Sequence, residues 1–502
     1  MAEVSPRRIV RSRREHKRRS MRRWTDQDRS EMSIVTSIGK ITAAKILNRI
    51  LGFAAFVFFA RELGAGEFGI FVLFQASLGL LSLFADPAIG QAAEQRASSG
   101  EPADRVYGTA LLLKSALLVP LIAVIVWFSG PLDAYIGGEV TTLLIVATIV
   151  QQLGSLPEVM LRAELRVGET ASLMAVRQVV WAVVGAVLVL LGFGFYGLIY
   201  GLLVAVTLRA LLALYKCETS LGQPSREQFW SIINYAKYQV VANKVAPQLY
   251  SWTDVTIIGI FLTSSLVGAY EVAWRVVGIV LIFPAAIGTT IFPHISAWSR
   301  NSDTEQIRET LSRVLVSVVS VSIPAFFGVL LLGREILRLI FGPEFTVAWL
   351  VLIILMGQKS VEAIKNTLAR VVAAMDYPQY NAIATIVGTT LNVVLNVVLV
   401  WKFGIVGAAV ATTVATIVGM LLLGGFLRRV LLFTYPVKKI GWMVVASTGM
   451  AIIIAALKTI IVINSLPRLV SIVLLGVILY VVLVSTFQPL REDLGKILQQ
   501  IK

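Results

Sequence analysis

The chain has 502 residues, of which 57% are hydrophobic and 15% are charged, and its formal net charge at pH 7 is +16. Soluble proteins carry about 25% charged residues, so this composition excludes an ordinary soluble enzyme or binding domain. A single cysteine, Cys217, excludes an intrachain disulfide. With only two histidines, His16 and His294, a zinc motif or a histidine-based catalytic triad is not supported. We therefore expect neither a catalytic residue nor a bound metal or cofactor.

A basic segment precedes the first apolar block. Residues 1–32 contain 11 basic and 5 acidic residues, a net charge of +6. We interpret this segment as a cytoplasmic tail that helps to fix the membrane topology. An arm that binds RNA or lipid is the alternative. Because the remaining positive charge suits cytoplasmic loops, the basic composition does not predict a nucleic-acid partner.

Fourteen apolar segments of 19 to 32 residues follow, long enough to cross the hydrocarbon of a bilayer, which takes roughly 20 residues. Their connecting loops alternate between rich and poor in Lys and Arg. This alternation predicts a multi-pass protein of the cytoplasmic membrane with both termini in the cytoplasm. In chain order the predicted spans are 37–60, 69–87, 107–128, 140–160, 173–194, 197–216, 231–262, 267–295, 311–333, 347–375, 379–403, 404–428, 440–463 and 467–487.

Weak internal similarity relates the two halves of the chain at a shift of about 200 residues. Parallel repeats of six helices are one architecture of secondary transporters, with the substrate site between them. The matching features are 63–69 with 262–268, Pro120 with Pro324, and the turn at Gly197 with the turn at Gly404. The predicted organisation is a tail at 1–32, six-helix lobes at 33–219 and 220–436, and two added helices with a short cytoplasmic tail at 437–502.

Several short motifs occur in the order found in one transporter family. They are Phe-Ala-Arg-Glu-Leu-Gly at 59–64 with Glu-Phe-Gly-Ile-Phe at 67–71, Asp86, Trp-Thr-Asp at 252–254, Val-Gly-Ala-Tyr at 267–270, Ile-Phe-Pro at 291–293 and Phe-Gly-Ile-Val-Gly-Ala-Ala at 403–409. Over 33–436 the chain resembles Wzx-type polysaccharide flippases of the multidrug/oligosaccharidyl-lipid/polysaccharide superfamily. One departure is Pro87, which follows Asp86 where the family has Leu-Gly.

This resemblance implies an all-α fold of two six-helix lobes around a central cavity. It also implies a substrate, an oligosaccharide linked to a polyprenyl phosphate or pyrophosphate. The protein would move this lipid from the cytoplasmic to the outer leaflet by alternating access. Implied partners are the lipid-linked oligosaccharide and membrane lipids, and a polysaccharide polymerase or glycosyltransferases are candidate protein partners.

Charged residues inside the first six spans are candidates for binding the anionic headgroup. Each costs at least about 2.5 kcal/mol at the centre of a membrane helix, so each needs a reason. Lys45, Asn48 and Arg49 share one helix face, and Arg177 is a further candidate. Arginine suits bidentate contact with phosphate. We expect Arg209 to snorkel to the interface instead, since its side chain is long enough to reach water.

The later spans contain both cations and acids. Lys237 and Lys244 lie on one stripe of the seventh span and are further candidates for substrate binding. For the other charged positions two roles remain open, structural pairing and binding of a coupling ion, which would be Na⁺ or a proton. An Asp254–Arg275 pair and a Glu271–Arg275 pair are both open. The positions concerned, including one acid of the first half, are Asp86, Asp254, Glu271, Arg275 and Glu362.

Three other functions remain as alternatives. A cation-coupled multidrug exporter of the same superfamily would favour acids in its cavity, whereas Lys and Arg predominate in these spans. A membrane glycosyltransferase or polymer ligase would need a sizeable outer loop with catalytic acids, and the predicted outer loops are short. A non-transporting scaffold of a polymer-synthesis complex would leave the intramembrane charges unexplained.

Overall fold

The computed structural model describes residues 49–239, 245–301, 303–432 and 434–487. Within these ranges the chain is helical and has no strand. Ten of the helices there are long and apolar enough to cross a membrane. These findings confirm the prediction of an all-α, multi-pass membrane protein. The predicted tail at 1–32 lies outside the described residues.

The helices are numbered here in chain order, and short turns of 3₁₀- or π-helix join some of them. They are α1 (Arg49–Ala85), α2 (Ile89–Ser98), α3 (Ala103–Trp127), α4 (Ser129–Ile136), α5 (Thr141–Gly154), α6 (Leu156–Ala163), α7 (Val167–Leu188), α8 (Gly194–Lys216), α9 (Arg226–Gln239), α10 (Ala246–Phe261), α11 (Ser264–Gly278), α12 (Ile282–Arg300), α13 (Thr304–Ile336), α14 (Trp349–Ala374), α15 (Pro378–Leu431), α16 (Val437–Ile460) and α17 (Leu466–Ser485).

Glycines with positive φ reverse the chain inside three long helical segments. Gly64 has φ 68° in α1, Gly404 has φ 59° in α15, and Gly192 and Gly194 have φ 87° and 56° between α7 and α8. Residues with a Cβ rarely adopt this conformation, which explains glycine at these turns. These three segments are among the ten candidate spans, and dividing each at its glycine gives thirteen. Adding α10 gives fourteen, which is consistent with the predicted number of spans.

The turn between α7 and α8 begins earlier than the predicted turn at Gly197. Gly197 lies inside α8, where an added Cβ would approach the backbone nitrogen of Val189 at 3.0 Å. Its small size therefore serves close helix packing rather than the turn. Gly407 plays the same part in α15, three residues after Gly404, just as Gly197 follows Gly194.

Helices of the two halves touch where α1 and α11 meet, at the end predicted to face outward. An added Cβ at Gly69 would lie 1.8 Å from the carbonyl oxygen of Ser264, and one at Gly268 would lie 2.3 Å from that of Ala65. The backbones are therefore in direct contact. The backbone N–H of Ala65 also donates to Glu344 at 2.9 Å.

A second contact joins the halves at the opposite end. Helix α9 follows the first six predicted spans, yet it packs on α2 and α3. The hydroxyl of Ser231 donates to Glu101 at 2.7 Å, and the Arg96 guanidinium lies 5.4 Å from the Tyr235 ring. Both ends of the interface between the halves therefore contain specific polar and packing contacts.

The last two helices attach to the outside of α13. Lys458 of α16 pairs with Glu335 of α13 at 2.9 Å. Arg338 then donates to the carbonyl oxygen of Ile463, in the turn between α16 and α17, at 3.1 Å. These contacts hold α16 and α17 against the second half of the chain.

Candidate functional site

Arg275 extends from α11 towards the first half of α1. Its Nε donates to Glu271 at 2.6 Å, and its guanidinium lies 5.5 Å from the Phe56 ring centroid. The Arg275 side chain is 50% exposed, whereas that of Glu271 is 6% exposed. A guanidinium has five N–H donors, so the bond to Glu271 leaves donors for an anion. Of the two pairs that the sequence leaves open, the structure forms Glu271–Arg275, whereas Asp254 is bonded to Tyr270, Thr412 and Asn396.

Arg49 lies on α1 and is exposed. It precedes Phe56 by seven residues, which places the two on one side of the helix about 10 Å apart along its axis. Arg275 contacts this same side at Phe56. The structure thus brings two predicted cationic residues to one side of α1. The neighbouring candidates Lys45 and Asn48 lie outside the described residues.

A second cationic cluster lies among α6, α7 and α8. Arg209 pairs with Glu158 at 2.8 Å, and the two side chains are 11% and 5% exposed. The predicted snorkelling of Arg209 is therefore wrong, because its charge is neutralised inside the protein. Arg177 is partly buried and interacts electrostatically with both groups. It makes no hydrogen bond or ion pair with any residue that the structure describes, so this cluster has a net positive charge.

Asp86 belongs to a buried pair. Lys114 of α3, whose side chain is 0% exposed, approaches Asp86 at 3.1 Å. Its ammonium also donates to the backbone carbonyl of Gln152 and the hydroxyl of Ser155, and Asp86 accepts from the backbone N–H of Gly90. These satisfied contacts fit the structural-pairing alternative for Asp86.

Asp254 lies at the centre of a buried polar cluster between α10, α11 and α15. Tyr270 donates to its carboxylate at 2.5 Å, Thr412 at 2.7 Å and Asn396 at 2.9 Å. Asn392 donates to the hydroxyl of Thr412 at 2.9 Å. The side-chain carbonyl oxygen of Asn396 is buried and accepts no hydrogen bond in the described parts of the chain. One carboxylate and one unsatisfied carbonyl oxygen therefore lie together.

Glu362 takes part in a third cluster, on α14. Lys359 donates to it at 2.7 Å and Gln358 at 3.0 Å. The Lys359 ammonium also lies 3.9 Å from the ring centroid of Trp274. Glu362 is thus already paired, which fits structural pairing. One turn further along α14, the ammonium of Lys365 lies 5.4 Å from the ring centroid of Tyr250.

A cavity of about 190 Å³ adjoins this third cluster. Helices α10, α14 and α15 form its walls, and one side is open. The lining residues are Ala246, Pro247, Tyr250, Glu362, Lys365, Asn366, Ala384, Thr385, Gly388, Thr389, Ala415 and Thr416. Polar and charged groups therefore face a space inside the second half of the chain.

Among the described residues, no site contains both of the lysines predicted in the seventh span. Lys237 is exposed on α9 and donates to Asn234 at 3.0 Å. Lys244 lies outside the described residues. Lys237 therefore lies on α9, which packs on α2 and α3, whereas Asp254 lies on α10.

Sequence reasoning missed Glu158 and the hydroxyl partners of Asp254. Glu158 stands near the end of an apolar span, and its sequence neighbours do not indicate Arg209 as its partner. Thr412 and Thr416 occur four residues apart in an apolar helix, which places them on one face. That spacing could have indicated a polar stripe facing Asp254.

Comparisons with known proteins agree with this architecture. Residues 58–350 match the family described as polysaccharide biosynthesis protein. The chain is 39% identical over 465 residues to a probable low-salt glycan biosynthesis flippase, Agl15, of Haloferax volcanii, covering 93% of this chain and 98% of that protein. It is 28% identical to the probable flippase AglR of the same organism, covering 91% of this chain and 97% of the relative.

Solved structures with low sequence identity share the fold. An inward closed conformation of the lipid II flippase MurJ matches with a TM-score of 0.73 at 18% identity, covering 89% of this chain and 98% of that one. An inward-facing multidrug transporter of the MATE family matches with a TM-score of 0.59 at 17% identity, covering 76% and 94%. The predicted resemblance to Wzx-type flippases is confirmed, and the chain belongs to the polysaccharide biosynthesis protein family.

Proposed function

We propose that this protein moves a polyprenyl phosphate- or pyrophosphate-linked oligosaccharide from the cytoplasmic to the outer leaflet. Its relatives, a probable low-salt glycan biosynthesis flippase and a second probable flippase, support this function. Movement would be by alternating access between the two halves, in the plasma membrane and with both termini in the cytoplasm. The protein would act as a transporter rather than an enzyme, alongside glycosyltransferases or a polysaccharide polymerase.

The observation that carries this proposal is the geometry of Arg275. A half-exposed guanidinium within a membrane-spanning segment is costly unless it serves a partner. Glu271 and the Phe56 ring fix its position, so little side-chain freedom is lost when an anion binds. Its remaining N–H donors suit phosphate oxygens. Arg49 adds a second cation on the same side of α1.

Alternating access would replace part of the headgroup's hydration with these fixed donors. The phosphate or pyrophosphate would bind near Arg49 and Arg275, while the lipid tail stays in the bilayer. The cluster of Glu158, Arg177 and Arg209 adds positive potential in the first half without direct contact being required.

We further propose that a cation, Na⁺, binds at Asp254 and drives the conformational cycle. The unsatisfied carbonyl oxygen of Asn396 supports a metal cation at this cluster, because it is an oxygen ligand without a partner in the described residues, on a side chain bonded to the carboxylate. Oxygen atoms of Asp254, Asn396 and Thr412 are the ligand type that such an ion prefers.

The test is the sidedness of the lipid-linked oligosaccharide in spheroplasts, measured with a membrane-impermeant glycosidase. Cells lacking the protein should hold the lipid in a protected form, and the wild-type gene should restore access. We expect Arg275→Gln and Arg49→Ala to lower restored access by about tenfold or more, as loss of a charge-assisted hydrogen bond would.

Arg468→Gln is the matched control, since Arg468 is exposed and donates to Val462 and Asn464 of its own loop. It should restore access fully. Unchanged sidedness in cells lacking the protein would reject the flippase. Drug sensitivity that depends on the cation gradient would then favour the multidrug exporter, and loss of polymer with normally exposed lipid would favour a ligase.

A further inference from the structure

The cavity in the second half of the chain exists because small residues line it. Gly388, Ala384 and Ala415 leave space between α10, α14 and α15. Gly419 lies directly behind Lys365, where an added Cβ would stand 3.2 Å from the Lys365 Cδ. The stem of Lys365 therefore packs over a glycine. This packing holds the Lys365 side chain at the wall of the cavity.

The charges around this cavity do not balance. Glu362 is paired with Lys359 at 2.7 Å, so its charge is already neutralised. Lys365 has no carboxylate within 4.0 Å among the residues that the structure describes, and its ammonium lies 5.4 Å from the Tyr250 ring centroid. Two lysines and one glutamate leave a net positive charge beside a partly enclosed space. An anionic ligand would balance this positive charge.

The remaining lining groups have the chemistry that recognises sugars. Asn366, Thr385 and Thr389 line the cavity, and none of these side chains makes a hydrogen bond within the described ranges. They offer hydroxyl and amide groups to a ligand. The ring of Tyr250 supplies an apolar face against which a sugar ring can pack.

We propose that this cavity binds one sugar unit that carries a carboxylate, with Lys365 as the partner of that carboxylate. Its volume of about 190 Å³ lies below the roughly 300–1,000 Å³ of sites that hold drug-sized ligands, so it suits one small ring rather than a whole oligosaccharide. The assignment rests on the proposed flippase function, since it makes an acidic sugar of the transported glycan the occupant.

The test is calorimetric binding of glucuronate and of its neutral counterpart glucose to the purified full chain in lipid nanodiscs. We expect glucuronate to bind the wild type at least about tenfold more tightly than glucose, because only glucuronate pairs with Lys365. Lys365→Met should weaken glucuronate binding about tenfold or more, and Lys365→Arg should retain most of it. Lys402→Met, at an exposed lysine outside the cavity, should change nothing.

Equal affinity for glucose and glucuronate, or unchanged glucuronate binding by Lys365→Met, would overturn the assignment. Inorganic phosphate is the third probe. If it binds as tightly as glucuronate and loses affinity equally in Lys365→Met, the cavity is a general anion site and the sugar assignment fails. Glucuronate binding by the wild type that depends on Lys365, together with unchanged lipid sidedness in cells lacking the protein, would reject the proposed function alone.

Discussion

Asn396 donates its side-chain amide to the carboxylate of Asp254 at 2.9 Å, while its own side-chain carbonyl oxygen is buried and accepts no hydrogen bond within the described ranges. A buried carbonyl oxygen without a partner costs about 1–3 kcal/mol. A cation held between this oxygen and the carboxylate would remove that cost. The two residues come from α10 and α15, so such an ion would also join these helices.

Sodium should therefore stabilise the protein through Asp254. An ion that binds only the folded state adds about 2.7 kcal/mol to the free energy of unfolding at a concentration 100-fold above its dissociation constant, and so raises the unfolding temperature. We expect NaCl, compared with KCl at equal ionic strength, to raise the melting temperature of the wild type. Asp254→Asn should abolish this difference. Glu309→Gln removes an exposed carboxylate and should preserve it. A melting temperature that is equal in the two salts would contradict Na⁺ as the ion.

Gly268 should be intolerant of a side chain in the conformation described here. An added Cβ would lie 2.3 Å from the backbone oxygen of Ala65, which cannot turn away as a side chain could. Overpacking of this kind costs about 1–3 kcal/mol. It would lower the equilibrium constant for contact between α1 and α11 by about 5- to 150-fold. Gly268→Val should therefore favour separation of these helices and lower transport.

Spin labels at positions 62 and 263, both exposed in the structure, would measure this separation in a Cys217→Ser background. The distance between them should increase in Gly268→Val. Gly66→Ala is the matched control, because nothing lies within 4 Å of an added Cβ there. If the distance distribution is the same in Gly268→Val and the wild type, the contact does not act as a closure between the halves.

Much of the fold could be predicted from the sequence because span length and hydropathy determine which segments cross a membrane. The turn at Gly404 was predicted, since a glycine follows an apolar block there. The turn at Gly192 and Gly194 lies a few residues before the predicted turn, because Gly197 also looks like a turn residue. Its close approach to the preceding helix is a tertiary property that local sequence does not reveal.

The site was less predictable because ion pairs between helices depend on rotation and tilt. Glu271 and Arg275 are one of two pairs that the sequence leaves open, since four residues separate them on one helix. Arg209 and Glu158 come from different helices, and no local spacing relates them. Asn392 and Asn396 share a face in the sequence, but their neighbour Asp254 becomes visible only when α10 packs on α15.

The buried pair of Asp86 and Lys114 should be structural. Removing one partner of a buried pair leaves an uncompensated charge and costs about 3–5 kcal/mol, whereas replacing both by apolar residues is often neutral. Asp86→Leu should therefore destabilise the protein strongly, and Asp86→Leu with Lys114→Met should recover most of the loss. Thermal unfolding of the two variants and of Lys114→Met measures this coupling. If Asp86→Leu alone is as stable as the wild type yet lacks transport, Asp86 serves the transport cycle rather than the fold.

Glu164 should make the stability of one predicted cytoplasmic turn depend on pH. Burial acts to raise the pKa of this carboxyl, but hydrogen bonds from the side chain and backbone of Thr219, from Arg166 and from the Glu218 backbone lower it below its ordinary value of 4.5. The backbone N–H of Thr219 donates at 2.8 Å and its hydroxyl at 2.7 Å. Because the folded-state pKa is lowered, the stabilisation is present above pH 4.5 and is lost as pH falls through the folded-state pKa.

Glu164→Gln should therefore lower stability at pH 7 by about 1–3 kcal/mol, since an amide accepts these hydrogen bonds less strongly than a carboxylate. The difference in melting temperature between this variant and the wild type should shrink as the pH is lowered below 4.5. Glu218→Gln is the control, because the Glu218 side chain is 81% exposed and its ion pair with Arg166 contributes little. A difference between Glu164→Gln and the wild type that stays constant from pH 7 downward would show that Glu164 acts by packing, because only the charge of its carboxylate is lost on acidification.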